Sequence, residues 1–448
     1  MLPLDRSRFI YSLAGQWIAG EWNIDAMKAA LGRVAADRSI RAPKFVDRVL
    51  AAFHVKPAFD ELVALLRADA GLARALNRAT VGGSRRKSPS LRRPTMTEPP
   101  SRLSGLALPQ LDTPAALAAW FDINATSLLW LADPKGRNRK HRDGPLRTYR
   151  YRWIPRREGP PRLLEIPRST LKKMQRKILA EILDLVPVHP AAHGFCAARS
   201  IVTNASAHCG KRTVLRFDLV DFFPSVSSAR VFRIFRTLGY PIAAAQLLTG
   251  LCTTRLPADV WEARPGAGAG SDFLARQRLI TRHLPQGAPT SPALANLAAH
   301  RLDRRLAGLA MAAGATYTRY ADDLTFSGDE GLARSLKRLE THIAVIVHEE
   351  GFALNHRKTR AMRAGVRQHV TGVVVNVRPN ISRSEFDRIK AILTNCVRHG
   401  PASQNRQGVA DFRAHLAGKV AHISSIHPQR AERLWSLFRR IRWEEAVQ

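Results

Sequence analysis

Apolar residues recur at helical spacing near the start of the chain: Ile24, Met27, Leu31 and Val34, then Phe45, Val46, Val49, Leu50 and Phe53, then Phe59, Leu62, Leu65 and Leu66. A period of three to four residues buries one face of a helix. Residues 1–81 are therefore expected to form a small helical bundle with an ordinary core, and no chemistry is visible in it. The pattern stops at a Gly-, Pro-, Ser- and Arg-rich stretch of linker composition, which sets a basic linker over 82–112. It resumes at Thr113-Pro114, an N-cap followed by a first-turn proline, and runs through Leu117, Trp120, Phe121, Leu128, Leu129 and Trp130.

The period then shortens to two. RTYRYRWIP and RLLEIP alternate like strands around RREGPP, which predicts a hairpin over 147–166 with Arg156 and Arg157 at a basic tip. Arginines interleaved with Tyr149, Tyr151 and Trp153 suit a sheet that grips nucleic acid. A basic amphipathic helix is expected from Leu171 to Leu185. Further on, VLRFDLVDFFPSV (214–226), ATYTRY and LTFSG have strand character, and after residue 380 the pattern is helical again, with Trp435 and Trp443 in it.

Composition adds a partner class. The 448 residues include 71 Lys and Arg against 36 Asp and Glu, a formal charge of +35, while 45% are hydrophobic. That is a folded chain with charge far beyond the needs of solubility, and it points to a polyanion, nucleic acid in the first place. The cysteines, Cys196, Cys209, Cys252 and Cys396, form no CxxC pair. A zinc site is not expected, and a reducing, cytoplasmic setting is. No apolar run is long enough for a membrane span, and the N-terminus lacks a signal-peptide pattern.

The candidate chemistry is acidic. YADDL, Tyr320 to Leu324, sits between two strand-like runs, and two adjacent carboxylates at a hairpin tip call for a counter-cation. Upstream, Asp218 ends an apolar run and Asp221 follows. Each motif alone fits turn or cap aspartates equally well; together they fit a site for hard divalent cations, which take carboxylate oxygens, water and phosphates. Asp218, Asp322 and Asp323 could hold two such ions for an in-line displacement at phosphorus. Between the acidic motifs, LPQGAPTSPALANL (284–297) bends at Pro-Gln-Gly before a helix of small residues, and Gln286 could hydrogen-bond a nucleotide; a plain turn before a core helix explains it as well.

Taken together, FDLVDFFPSV, PQGAPTSPALAN, YADD and GFALNHRKT (351–359) resemble the palm motifs of reverse transcriptases in order and spacing, over roughly residues 113–443. NASAH (204–208) is similar to the NAxxH pattern of bacterial retron enzymes, through Asn204 and His208, and VTGVVVN (370–376) to their VTG pattern, through Val370, Thr371 and Gly372. The resemblance implies an α+β right-hand polymerase fold: fingers with leading helices over 113–213, palm over 214–376 and a helical thumb over 377–448. It says nothing secure about the N-terminal extension. It makes Asp218, Asp322 and Asp323 the catalytic metal ligands, adds the Leu219 carbonyl, and implies two Mg²⁺ ions with deoxynucleoside triphosphates as substrates. Phe223 falls at the steric gate that excludes a ribose 2′-OH. Gln286, Lys358 and Arg162 match residues that contact the nucleotide and its triphosphate.

For a retron enzyme the resemblance further implies a cognate structured noncoding RNA, priming from a guanosine 2′-OH, and a branched RNA-linked DNA product. It also implies an effector or toxin protein in an anti-phage system. No acidic tetrad follows residue 376, so template removal would fall to a host ribonuclease H. Two alternatives stand beside this. A group II intron reverse transcriptase with maturase activity calls for a longer region than the residues left after the VTG motif. A non-catalytic RNA-binding scaffold calls for broken metal ligands.

Overall fold

The computed structural model describes residues 6–34, 42–81, 94–138, 144, 146–156, 159–265 and 273–443. Residues 82–93 of the expected linker, and Arg157 at the hairpin tip, lie outside the described residues. The chain folds into two compact units built from alternating segments: 1–186 with 226–294, and 187–225 with 295–448. Among the described residues no single helix is long and apolar enough to cross a membrane.

In the first unit, helices Arg6–Ala19, Ile24–Val34, Ala42–Ala52, Phe59–Ala68 and Ala70–Val81 turn their periodic apolar residues onto one another. Phe9, Leu13, Trp17, Met27, Val46, Leu62 and Leu66 form the shared core. The one polar atom Trp17 brings inside is satisfied, because its indole N–H donates to the Met27 carbonyl at 2.9 Å. This bundle is seated on the helices Ser228–Thr237 and Ile242–Cys252. The approach is close: a Cβ on Gly15 would lie 2.3 Å from Ile242 Cδ1, so that side chain would have to turn aside. The buried Arg236 donates to the Gly15 carbonyl at 3.4 Å.

Thr113 caps its helix through Ala116 N–H, with Pro114 in the first turn. The apolar stretch that follows is two helices, Pro114–Trp120 and Ala125–Ala132, broken where Asp122 takes φ 55°. β1 (Tyr149–Ile154) and β2 (Arg162–Pro167) pair antiparallel, Ile154 opposite Arg162. Here the aromatic residues behave differently from the sequence expectation. Tyr151 and Trp153 pack against Leu163, Leu256 and Leu279. The Trp153 indole donates to the Val260 carbonyl and Gln175 donates to the Tyr149 hydroxyl. Alternation sends these rings to the core and leaves Arg150 and Arg152 on the exposed face, so the arginines alone are presented outward. The amphipathic helix also ends early: Ser169–Ile178 is α-helical, and Leu179–Leu183 widens into a π turn.

The second unit holds β3 (Thr213–Asp218), β4 (Thr316–Tyr320), β5 (Asp323–Gly328) and β6 (Arg360–Arg363) in one antiparallel sheet, order β4-β5-β3-β6. A separate small hairpin joins β7 (His369–Val370) to β8 (Val373–Val374). Val214 and Met362 of the sheet, Val370 and Val373 of the hairpin, and Leu393, Leu416, Val420 and Leu434 of helices Arg383–His399, Phe412–Ile426 and Pro428–Arg439 share one core.

Candidate active site

The register of β4 against β5 places Tyr320 opposite Asp323, which leaves Ala321 and Asp322 as a two-residue turn. Such turns need positive φ to match strand twist and usually employ Gly, Asn or Asp. Here Ala321 takes φ 56°. The register of β3 against β5 places Asp218 directly opposite Asp323. Past the end of β3, the Leu219 N–H donates to the Asp322 carbonyl at 2.9 Å, and Asn355 N–H donates to the Asp218 carbonyl at 2.7 Å. The end of β3 is thus tied to the turn on one side and to the loop carrying Asn355 on the other, and the three aspartates meet at one edge of the sheet.

Each carboxylate has a distinct environment. Lys358 Nζ lies 2.9 Å from Asp218 Oδ2, and Asn355 donates weakly to Oδ1 at 3.4 Å. Arg216 reaches both oxygens of Asp323 at 3.3 Å. Burial raises the Asp322 carboxyl above its ordinary range, and the neighbouring Asp218 charge pushes it the same way. Burial also raises Asp323, with Arg216 opposing it. A concentration of negative charge that partly buried groups resist carrying is what a bound cation relieves.

Among the described residues no three carboxylate, imidazole or thiol side chains form a closed cage for one ion. Two of the three aspartates are turned toward cations of the chain itself. The donor set nonetheless fits a hard divalent ion. It is all oxygen, and the Leu219 carbonyl, on a buried residue beside Asp218 and Asp322, accepts no hydrogen bond among the described residues. An ion of this class normally completes its coordination with water and substrate phosphate.

Behind the turn lies a buried network that the sequence reading does not reach. Arg319 and Asp303 are fully buried and paired, Nη2 to Oδ2 at 2.7 Å and Nε to Oδ1 at 2.8 Å. The Tyr317 hydroxyl also donates to Asp303. Arg319 Nη1 donates to Asn296 Oδ1 and to the Ala321 carbonyl in the turn, and Asn296 donates onward to the Gly194 carbonyl. Gly194 is pressed against the turn so closely that a Cβ would stand 2.5 Å from Ala321 N. A partial signal exists: Asp303 lies on the same apolar stripe as Leu306 and Ala310, and an acid there demands a partner.

The retron-like motifs meet in this unit. Val370 and Val373 pair across a hairpin turn made by Thr371 (φ 48°) and Gly372 (φ 84°). The Thr371 hydroxyl donates to the Ile201 carbonyl, on the helix Ile201–Ser206 that carries Asn204. Asn204 is buried with neither amide atom hydrogen-bonded among the described residues. His208 is held 2.7 Å from both the Ser327 and the Thr318 hydroxyls, on β5 and β4. Burial, with His193 adding to it, pushes His208 down to about 3, so its ring is neutral and clamps the two strands that flank the Ala321–Asp322 turn. Phe223 is half-buried against Phe222 and Phe195.

Arg162 and Gln286 belong to the first unit, where they share a support. Arg162 is exposed at the start of β2. Three residues on, the Glu165 N–H donates to the Gln286 carbonyl at 2.8 Å, and Gln286 N–H donates to Glu165 Oε2 at 3.3 Å. Gly287 (φ 132°) is required here, since a Cβ would lie 2.9 Å from the Glu165 carbonyl. Glu165 Oε2 also meets His283 Nε2 at 3.1 Å, with both side chains buried.

Residues 154–386 match the model of the reverse transcriptase (RNA-dependent DNA polymerase) family. The chain is 45% identical over 283 residues to the retron Mx65 reverse transcriptase of Myxococcus xanthus, covering 63% of this chain and 62% of that protein. It is 36% identical to the retron Mx162 reverse transcriptase of the same organism, over 70% of this chain and 65% of the relative. To the retron Ec86 reverse transcriptase of Escherichia coli it is 34% identical, over 54% of this chain and 69% of the relative. The matched stretches thus span a little under two thirds of the length of the two Myxococcus relatives. With that family come the α+β class and the right-hand polymerase fold, and the chain belongs to the reverse transcriptases, within them to those of bacterial retrons.

Proposed function

We propose that this chain is an RNA-directed DNA polymerase that copies part of a cognate noncoding RNA into a single-stranded DNA left joined to that RNA. Priming is from a guanosine 2′-OH, and the system defends against phage. The observation that carries the polymerase reading is Asp218 lying opposite Asp323 at the sheet edge where Asp322 forms the turn. The retron part is supported by the relatives' family and by the meeting of the NAxxH and VTG motifs.

In this reading residues 113–213 serve as fingers, 214–376 as palm and 377–448 as thumb. Asp218, Asp322, Asp323 and the Leu219 carbonyl would hold two Mg²⁺ ions. When bound, these lower the pKa of the attacking hydroxyl and stabilise the departing pyrophosphate. Lys358 is more than half exposed beside Asp218, placed to leave that carboxylate for a triphosphate oxygen. Arg162 and Gln286 grip the nucleotide, and Phe223 closes the space a 2′-OH would need. The excess of basic residues holds the RNA through its phosphates, with affinity that falls as salt rises. The RNA–DNA product stays with the enzyme. A host ribonuclease H removes the template, an effector protein associates with the complex, and the whole works in the cytoplasm.

Primer extension on an RNA template with Mg²⁺ tests the polymerase. Asp322→Asn should abolish extension and leave RNA binding nearly unchanged, since only a metal ligand is lost. Sequencing the nucleic acid that copurifies tests the retron part: a short DNA joined to an RNA guanosine is expected, and no DNA from expressing cells would refute it.

A further inference from the structure

The loop before the helix Ile201–Ser206 carries an aromatic ring under unusual constraint. Phe195 takes φ 61°, the left-handed region that bulky residues avoid and that persists where the surroundings enforce it. The enforcement is visible on both sides. His193 N–H donates to the Arg319 carbonyl at 2.7 Å, and the Gly194 carbonyl accepts from Asn296. Beyond Phe195, the Cys196 thiol donates to the Ala192 and Gly194 carbonyls, and Arg199 donates to the Ala192 and Pro190 carbonyls. A loop so firmly bonded still leaves its largest apolar side chain 50% exposed.

The exposed ring touches Phe223. Their centroids are 6.0 Å apart and the planes are tilted by 44°. Phe223 meets Phe222 at 5.7 Å, and Phe222 is buried beneath the Arg319 guanidinium at 5.5 Å. Phe223 therefore has a fixed neighbour toward the core, and Phe195 is a second ring in contact with it. Burial does not account for Phe195, since half of it faces solvent. Its backbone does not account for it either, because glycine would adopt that φ without strain.

We propose that Phe195 is a specificity-determining residue of the sugar pocket: it holds the Phe223 ring where that ring rejects a ribose 2′-OH. This rests on the polymerase reading and on Phe223 as the gate, and deepens both. The test measures single-nucleotide incorporation on an RNA template with a deoxynucleotide and the matching ribonucleotide, in the full chain. Asp322→Asn serves as the dead control. Phe195→Ala and Phe195→Gly should each lower the deoxy-over-ribo preference in kcat/KM about tenfold, mainly by admitting the ribonucleotide. Phe223→Ala should lower it further, and the double Phe195→Ala/Phe223→Ala variant should match Phe223→Ala. Phe195→Gly should melt no lower than the parent, so its loss of selectivity is not unfolding. If both Phe195 variants keep the parent's preference while Phe223→Ala loses it, the proposal is overturned. Additive losses in the double variant overturn the action through Phe223. If Phe223→Ala itself keeps full preference, it is the gate reading that fails, and an inactive parent would fail the polymerase reading beneath it.

Discussion

Each of the two units presents a short loop backed by a buried carboxyl group, Asp303 in one and Glu165 in the other, but the partner of that group differs in kind. Behind the Ala321–Asp322 turn stands Arg319, with its guanidinium shared among Asp303, Asn296 and the turn's own carbonyl. Burial works against that charge, yet Asp303 keeps the guanidinium protonated above its ordinary value. Behind Gln286 stands the Glu165–His283 pair. The His283 ring faces the Thr281 carbonyl at 2.8 Å with Nδ1 and Glu165 with Nε2. The ring is thus held at both nitrogens, by a backbone carbonyl and by a carboxyl group. Glu165 Oε1 is buried with no partner among the described residues. The loop beside the aspartates is thus held by a guanidinium–carboxylate pair, and the loop at Gln286 by an imidazole–carboxyl contact.

The comparison breaks most visibly at Arg319. Arg319→Met leaves the Asp303 carboxylate buried and unpaired, which costs about 3–5 kcal/mol. It also frees the turn, and a misplacement of about 1 Å at reacting groups costs on the order of a hundredfold in rate. Thermal melts and single-turnover extension should show both losses. The double variant Asp303→Asn/Arg319→Met separates them. Stability should largely return because no lone charge remains, while the rate stays low because the Ala321 carbonyl has lost its donor. Full recovery of rate would show that Arg319 only fills the core.

A smaller effect is expected at Glu165. Glu165→Gln keeps the shape of the side chain and removes its carboxyl group, so the His283 ring and the Gln286 N–H both lose that partner. The KM for the deoxynucleotide should rise about tenfold with kcat little changed, the pattern of a lost ground-state contact. Steady-state kinetics at saturating RNA decide it. An equal fall in kcat with KM unmoved would place Glu165 in the chemistry rather than in nucleotide positioning.

The same contrast separates what the amino-acid sequence makes legible from what only the folded chain reveals. The aspartates and the PQG bend are legible because their chemistry needs fixed residue types at fixed spacing. Asp303, Gly194 and Glu165 are not, because each acts through a partner distant in sequence: Arg319 lies 16 residues from Asp303 and His283 lies 118 from Glu165. Periodicity finds the bundle helices, whose cores are purely local in pattern, but assigns the aromatic rings of β1 to nucleic acid. Alternation alone does not say which face is buried; Leu256 and Leu279, far along the chain, decide that. The break at Asp122 and the turn at Thr371-Gly372 rest on positive φ at residues other than glycine, which composition rarely flags.

The smallest effect, and the finest test of the contrast, concerns the other buried histidine. His208 is neutral between two hydroxyls, with its pKa pushed down to about 3 from 6.5. Between those values the unfolded chain binds a proton that the folded chain refuses. Its contribution to stability is therefore complete above pH 6.5 and is lost as pH falls, by about 1.4 kcal/mol between pH 8 and pH 5.5. His208→Gln keeps a donor and an acceptor for Thr318 and Ser327 and cannot titrate. Melting the parent and this variant from about pH 8 to about pH 5.5 should show the parent losing stability faster, by a few degrees at most. Parallel curves would mean that the ring takes up its proton inside the fold, and that the strands carrying the aspartates part more easily than their hydrogen bonds imply.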